Sequence, residues 1–329
     1  MTRKGLILFI LLGVAWGIPY LLIKIAVGEL TPAMLVFART AIAAVVLLPV
    51  AALRSELGPV LRRWRPLLAY TVAELIVPQF LLGTAEQRLP SSITGLLIAA
   101  VPLAGVGVTF LLGRPEQFTA ANWVGIGLGM TGVATLAGFA VAGADLGSAG
   151  QVLVVVVCYA LGPAILAKWM PDLGGIGVTA LGLTITALCY APVVSLTHGW
   201  PSAWPSESVI ASVVVLALVC SAGALTIMFA LVSEVGPVRA TAVTYVNPAV
   251  ALVAGAVILG EPVTGWSLAG FAFILAGCYL VAIRGRSAGR VQARAGAATA
   301  SGDGALAADR DGPLAADRDG ALAARDCPP

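Results

Sequence analysis

Residues 236–280 decide the fold of this chain, and they read GPVRATAVTYVNPAVALVAGAVILGEPVTGWSLAGFAFILAGCYL. Two long apolar runs lie on either side of a Gly-Glu-Pro turn at 260–262. A helix that crosses a bilayer needs about 20 predominantly apolar residues. The stretch therefore predicts two transmembrane helices joined by a short turn.

Residues 91–133 are a looser copy of the same stretch, SSITGLLIAAVPLAGVGVTFLLGRPEQFTAANWVGIGLGMTGV. Proline, glycine and tryptophan residues of the two copies match at offsets of 143 to 147 positions. The matched pairs are Pro102 and Pro248, Gly113 and Gly260, Pro115 and Pro262, Trp123 and Trp266, Gly125 and Gly270, and Gly132 and Gly277. The second half of the chain thus repeats the first.

The composition excludes a soluble protein. Hydrophobic residues make up 59% of the 329 residues and charged residues only 11%, whereas soluble domains carry about 25% charge. The single histidine, His198, leaves no material for a zinc site built on several histidines. A net charge of +3 that is spread thinly gives no sign of a nucleic-acid partner. We expect no cofactor, and the lipid bilayer as the main surroundings.

Ten apolar runs along the chain are long enough, or nearly so, to cross a bilayer. They span residues 5–27, 32–53, 66–84, 91–112, 121–141, 149–168, 175–197, 208–231, 238–259 and 265–283. The predicted fold is an all-α integral membrane protein with ten transmembrane helices in two inverted five-helix repeats. The first repeat covers residues 5–141, the second covers 149–283, and a tail follows at 284–329.

Five spans per copy is an odd number, so the second copy must enter the membrane from the opposite side. A cytoplasmic N-terminus places nine Lys and Arg residues in inside segments and only Arg88 outside, as the positive-inside rule favours. An even number of spans then returns the C-terminus to the cytoplasm. The tail holds three related octapeptides, DGALAADR, DGPLAADR and DGALAARD, and no aromatic residue. We expect it to be disordered, with a docking role or none.

Inverted repeats are typical of secondary transporters, in which two halves rock about a site near the membrane midplane. The alternative is that the repeat records gene duplication alone. No phosphate-binding loop is present, so coupling to a proton or another ion, or exchange, is favoured over direct ATP drive.

The motifs resemble the EamA family of the drug/metabolite transporter superfamily. They are Gly236-Pro237, Pro248, Gly-Glu-Pro at 260–262, the Gly270 and Gly277 pair, and at the start Trp16-Gly17, Lys24, Pro32 and Arg39. The first copy departs from the pattern with Gly-Arg-Pro-Glu at 113–116. The resemblance implies a bacterial inner-membrane carrier, often an exporter, for amino acids, other metabolites or drugs. It does not indicate which solute is moved, and the oligomeric state stays open.

Three charged residues fall inside predicted spans, namely Lys24, Arg39 and Glu74. Charge in a bilayer is costly and marks a pathway or a structural ion pair. Lys24 lies near a span end and can instead extend to the headgroups. Glu74 either binds a proton or a cationic group of the solute, or pairs permanently with Arg39 or Lys24. Pro78 follows one turn later, so the third span is expected to break near Glu74.

Uncharged residues complete the predicted solute and proton pathway: Gln79, Trp16, Tyr159, Thr244, Tyr245 and Asn247. Each can also serve helix packing alone. The leading function is an alternating-access carrier, and not an enzyme, for a small metabolite, amino acid or drug-like solute. Two other classes stay open, an intramembrane lipid-modifying enzyme and a receptor or scaffold that transports nothing.

Overall fold

A computed structural model describes residues 2–111, 120–143, 146–235, 243, 246–277 and 279–280. The described part is helical, with no strand among these residues. The helices are α1 Arg3–Gly17, α2 Pro19–Ala26, α3 Pro32–Leu53, α4 Leu57–Arg62, α5 Trp64–Thr71, α6 Val77–Glu86, α7 Ser91–Ile98, α8 Val101–Leu111, α9 Ala120–Gly143, α10 Leu146–Trp169, α11 Gly175–Leu196, α12 Glu207–Ala217, α13 Ala224–Val235, α14 Asn247–Ile258 and α15 Gly265–Gly277. Two π-helical segments, π1 Val72–Ile76 and π2 Leu218–Gly223, connect α5 to α6 and α12 to α13.

Five helical stretches are long and apolar enough to cross a membrane: Arg3–Ala26, Pro32–Leu53, Trp64–Glu86, Leu146–Trp169 and Gly175–Leu196. Shorter apolar helices lie within the other five predicted runs. Large apolar side chains such as Val45, Leu188 and Val257 face outward on α3, α11 and α14. An apolar exterior is what a lipid environment requires, because lipid offers no hydrogen bonds. The all-α membrane fold predicted from composition is confirmed at this level.

Helices of the first half pack against helices of the second half throughout the described part. The α3 helix packs along α11, and α7 packs against α14. The α2 helix contacts α12, and α6 contacts α10. In terms of the ten predicted runs, the second meets the seventh and the fourth meets the ninth, which are matched runs of the two copies. The core therefore forms between the halves.

Glycines bring α9 and α15 into close backbone contact. A Cβ atom on Gly132 would lie 2.6 Å from the carbonyl oxygen of Gly270, and one on Gly277 would lie 2.5 Å from that of Gly125. These distances are too short for any side chain, so only glycine fits. Gly132 matches Gly277 in the sequence repeat, and Gly125 matches Gly270. The contact is therefore reciprocal, as it is across a two-fold axis.

Three glutamates that lie outside the long apolar helices bind the N-termini of helices in the opposite half. Glu56 Oε2 accepts a hydrogen bond from the Gly177 N–H of α11 at 2.7 Å. Glu29 Oε2 accepts one from the Ser206 N–H at the start of α12, also at 2.7 Å. Carboxylates are favourable there because the first N–H groups of a helix lack partners and the helix dipole is positive at that end.

Glu261 of the Gly-Glu-Pro turn makes the third of these contacts, with the N-terminus of α7. Its Oε1 accepts from the Ser91 N–H at 2.7 Å and its Oε2 from the Ser92 N–H at 2.9 Å. The preceding Gly260 has φ of +66°, a left-handed conformation that favours glycine. Partial burial would raise the pKa of Glu261, but the hydrogen bonds from Ser92 and Ser91 outweigh burial and lower it.

Replacing Glu261 with Ala is expected to lower stability by about 1 kcal/mol, the usual cost of losing a helix cap. The folded-state pKa of Glu261 lies below its unfolded value, so its contribution is present above about pH 4.3 and is lost as pH falls below that value. Thermal unfolding midpoints measured from neutral to acidic pH check both points. The exposed Glu207→Ala variant is the control, and an equal loss in both variants would contradict the assignment.

Candidate functional site

Glu74 lies at the centre of π1, within the third helical stretch. Its Oε2 atom is buried and has no hydrogen-bond partner among the described residues. The carboxylate packs against Gly162 of α10, where a Cβ atom would clash with Oε2 and lie 2.9 Å from Cδ. The helix does not break at Pro78 as the sequence suggested. It widens instead by one π-helical turn around Glu74, and such turns are frequent at functional sites.

Arg39 of α3 is also buried, with 9% of its surface exposed. Its Nη2 donates to the Ser221 hydroxyl at 3.4 Å, which is a long hydrogen bond. Ser221 belongs to π2, so the second π-helical segment also contributes to the buried polar region. The Arg39 Nε–H has no partner among the described residues. A buried guanidinium with a free N–H can bind a carboxylate or another acceptor.

Lys24 does not extend to the headgroups. Its Nζ donates to the backbone carbonyls of Glu86 and Leu89, at 2.6 and 2.9 Å. These carbonyls lie at and just after the C-terminal end of α6, where a cation is favourable because the helix dipole is negative there. Lys24 is therefore fixed inside the protein.

No described residue forms an ion pair with Glu74 within 4.0 Å. The permanent pairing of Glu74 with Arg39 or Lys24, one of the two readings open from sequence, is thus not found in this structure. Gln79 of α6 is 7% exposed, and its Oε1 also lacks a partner in the described part of the chain. Glu74 and Gln79 thus offer unused acceptors within one stretch of helix.

Tyr159 of α10 is partly buried and packs against the apolar cluster that includes Leu97 and Val152. The structure therefore shows a packing contact for Tyr159, and its place on the solute pathway stays a prediction.

Glu86 is the residue that sequence reasoning missed. The predicted third span ended at residue 84, which placed Glu86 in a loop, but the helix continues to Glu86. The side chain is 0% exposed, and neither carboxylate oxygen has a hydrogen-bond partner among the described residues. The prediction that three charges lie in the spans is therefore incomplete, because a fourth charge is buried at the end of α6.

The other predicted pathway residues have different environments. Trp16 is partly buried and packs against an apolar cluster, which indicates a structural role. The cluster consists of Leu12, Ala15, Ala224, Leu231 and Val243. Asn247 begins α14, and its Oδ1 is buried without a partner in the described structure. Thr244 and Tyr245 lie outside the described residues.

Two cavities lie beside the loop at 198–205, away from the buried charges. One of about 420 Å³ is lined by Glu29, Thr31 and His198, and the other of about 490 Å³ is a largely apolar groove between α3 and α12. Hydrogen bonds with the side chain and backbone of Ser206 lower the pKa of Glu29. The lining of the 420 Å³ cavity thus contains one carboxylate, that of Glu29.

Comparison with known proteins identifies the family. The EamA-like transporter family model matches residues 3–138 and 148–283. The Escherichia coli (strain K12) protein named "Uncharacterized inner membrane transporter YedA" is 30% identical over 257 residues, which cover 75% of this chain and 80% of that protein. The Bacillus subtilis (strain 168) protein named "Uncharacterized transporter YvbV" is 25% identical over 85% of this chain and 92% of its own length.

A solved structure titled "Crystal structure of protein" shares the fold, with a TM-score of 0.60 and 20% identity over 87% of this chain and 99% of the other. The family match covers most of the sequence in two segments, and both relatives are named as transporters. The chain is therefore a multi-pass membrane protein that belongs to the EamA-like transporter family.

Proposed function

We propose that this protein is a secondary transporter that moves a small polar metabolite, amino acid or drug-like solute by alternating access. All ten apolar helices cross the inner membrane in this proposal, and both termini are cytoplasmic. The halves 5–141 and 149–283 are inverted repeats, and export is the favoured direction. The tail at 284–329 is a disordered cytoplasmic extension.

The observation that carries the proposal is the position of the two π-helical segments. The π1 segment holds Glu74, and π2 holds Ser221, the partner of Arg39. Glu74 and Ser221 are 147 positions apart, the same offset that relates Gly113 to Gly260. Corresponding helices of the two halves thus deviate from α-helical geometry at corresponding positions. Both deviations lie at buried charged side chains, as expected of a midplane site between repeats.

Charge balance supports an ionic or polar solute. Lys24, Arg39, Glu74 and Glu86 are two cations and two anions, and no ion pair joins any of them within 4.0 Å in the described structure. A buried charge without a partner is strongly unfavourable. The unused Glu74 and Arg39 atoms therefore favour binding of opposite charges on a solute, or of a proton at Glu74.

Flux into proteoliposomes tests the proposal. The purified full-length chain is reconstituted and offered labelled amino acids, organic amines and cationic dyes, with and without a pH gradient. We expect at least one class to move faster than in protein-free vesicles, and the gradient to change its rate. Transport of none of them, in vesicles that contain monodisperse protein, would contradict the carrier function.

A further inference from the structure

Seven of the described helices form two groups that the sequence repeat relates to each other. In the first group, α1 and α2 pack along α13 and α12, and in the second, α10 packs along α5 and α6. The α1–α2 stretch matches α10 in the repeat, and the α12–α13 stretch matches α5–α6. Each group therefore contains one stretch from each half. Ser221 of π2 belongs to the first group and Glu74 of π1 to the second, so the candidate site draws on both.

A contact between an acidic residue and the start of a helix holds each group together at one end. In the first group, Glu29 after α2 accepts a hydrogen bond from the Ser206 N–H before α12. In the second, Asp172 after α10 accepts two hydrogen bonds from the Arg63 guanidinium before α5, at 2.7 and 2.9 Å. Glu29 and Asp172 are 143 positions apart, and so are their two partners. Because both equivalent contacts are formed, each group can move as one body.

Lys24 and Lys168 are equivalent residues that lie at opposite ends of these groups. They occupy the last turns of α2 and α10 and are 144 positions apart, within the offset range of the repeat. Lys24 contacts the last residue of the third helical stretch, Glu86. The Trp169 carbonyl, next to Lys168, instead accepts a hydrogen bond from Arg63, directly before that stretch, at 2.9 Å. The stretch has 23 residues, and at 1.5 Å per residue about 35 Å separates its two ends.

The two ends differ in this structure. At the first, Lys24 of one group donates to the carbonyls of Glu86 and Leu89, at and just after the end of α6 in the other group, and α2 packs against α6. At the second, Lys168 is exposed, and its Nζ lies 4.8 Å from the centroid of the Trp169 ring. No comparable packing joins α10 to α13 within the described residues. The groups are therefore joined at the Lys24 end and not at the Lys168 end.

A lysine side chain is suited to join and release a helix end. The last carbonyls of a helix lack partners within the helix and carry the negative end of its dipole. An ammonium group has three donors on a flexible chain, so it can bind two such carbonyls without a fixed geometry. The equivalent acceptors for Lys168 are the carbonyls at the end of α13, where Ser233 matches Glu86 at an offset of 147 positions.

We propose that Lys24 and Lys168 are the two gate residues of the transport cycle, an inference that rests on the proposed transport function. In the state described here, Lys24 closes its end by binding the end of α6, and the Lys168 end is open. In the other state the two groups rock, Lys24 releases α6, and Lys168 binds the end of α13. With cytoplasmic termini, the present state is closed to the outside and open to the cytoplasm.

Acylation of lysine tests the proposal without a known solute, because the chain contains only three lysines, Lys4, Lys24 and Lys168. The full-length protein in detergent is treated with N-hydroxysuccinimidyl acetate at constant pH, and peptide mass spectrometry follows each lysine over time. We expect Lys168 to react fast and Lys24 slowly, because Lys24 reacts only when it releases α6. Lys4, whose side chain is 73% exposed, is the internal reference.

The decisive comparison uses Lys168→Ala. This change removes the closing contact of the other state, so the protein spends less time with Lys24 released. We expect the acylation rate of Lys24 to fall on the order of threefold relative to Lys4. In Lys24→Ala the population shifts the opposite way, and acylation of Lys168 should fall by a similar factor. Arg54→Ala, which removes an exposed cation just after α3, should keep the wild-type rates.

Unfolding cannot imitate the expected result, because it exposes both lysines and raises their rates. Lys168 is exposed, so its replacement should leave the fold intact. An unchanged or faster Lys24 rate in monodisperse Lys168→Ala protein would overturn the proposal. Since the measurement needs no flux, expected labelling with a failed flux assay would count against transport, and normal flux with unchanged labelling would count against the gates alone.

Discussion

Replacing Glu74 with Gln is expected to reduce solute flux to the level of protein-free vesicles, while the protein still inserts and remains monodisperse. Gln keeps nearly the same size and shape, so the contact with Gly162 persists. The amide cannot carry a negative charge or take up a proton. It also replaces one carboxylate oxygen, an acceptor without a partner in the described structure, with an NH₂ donor. The initial rate of flux in proteoliposomes is the measurement.

Glu207→Gln is the matched control for this variant. Glu207 is an exposed carboxylate in the first turn of α12, outside the buried polar region. Its replacement removes the same charge from the protein and should leave flux within about twofold of wild type, because surface substitutions have small effects. Flux at the wild-type rate in Glu74→Gln would remove Glu74 from the mechanism.

The sequence was sufficient for the fold class because apolar length is a direct requirement of the bilayer. All ten predicted runs contain described helices, and the matched glycines such as Gly132 and Gly277 lie at a real close contact. The contact itself was not predicted, because Gly132 meets Gly270 and Gly277 meets Gly125, and the repeat alone does not show which of the matched glycines touch. The apolar runs and the repeated glycine positions both follow from the spacing of residues along the chain, which can be read directly from the sequence.

The site was only partly predictable, because its details depend on side chains from distant parts of the chain. Glu86 was not predicted as a buried residue because the apolar run ends at residue 84, whereas α6 continues to Glu86. The one signal available was that Glu86 lies only two residues beyond the predicted span end. The hydrogen bonds from Lys24 to backbone carbonyls could not be predicted from the sequence either, because every residue has a backbone carbonyl and no residue type marks the acceptor.

The role of the Gly-Glu-Pro turn also required the structure. The motif identified the family resemblance, but nothing in its residues indicated that Glu261 binds the N-terminus of α7, about 170 residues earlier in the chain. The π-helical segments likewise lie at contacts between distant parts of the chain, π1 against α10 and π2 against α3. A sequence pattern can place a proline near Glu74, yet it cannot distinguish a broken helix from a widened turn.

Replacing Gly162 with Ala is expected to reduce flux at least tenfold and to destabilise the protein by about 1–3 kcal/mol, the usual range for overpacking. The new Cβ atom would overlap Glu74 Oε2, so either the carboxylate or α10 must move. A Gly to Ala change within an unhindered helix normally adds about 0.5–1 kcal/mol of stability, so the sign of the effect is itself informative. Flux and thermal unfolding are measured on the same preparation.

Gly150 provides the control on the same helix. No atom lies within 4 Å of a Cβ built there, so Gly150→Ala should keep wild-type flux and equal or slightly greater stability. The double variant Gly162→Ala with Glu74→Ala should regain the lost stability, because the clashing carboxylate is gone, but it should not regain transport. Equal loss of stability with and without Glu74 would show that Gly162 acts through another neighbour, because a shared contact must produce non-additive effects in this cycle.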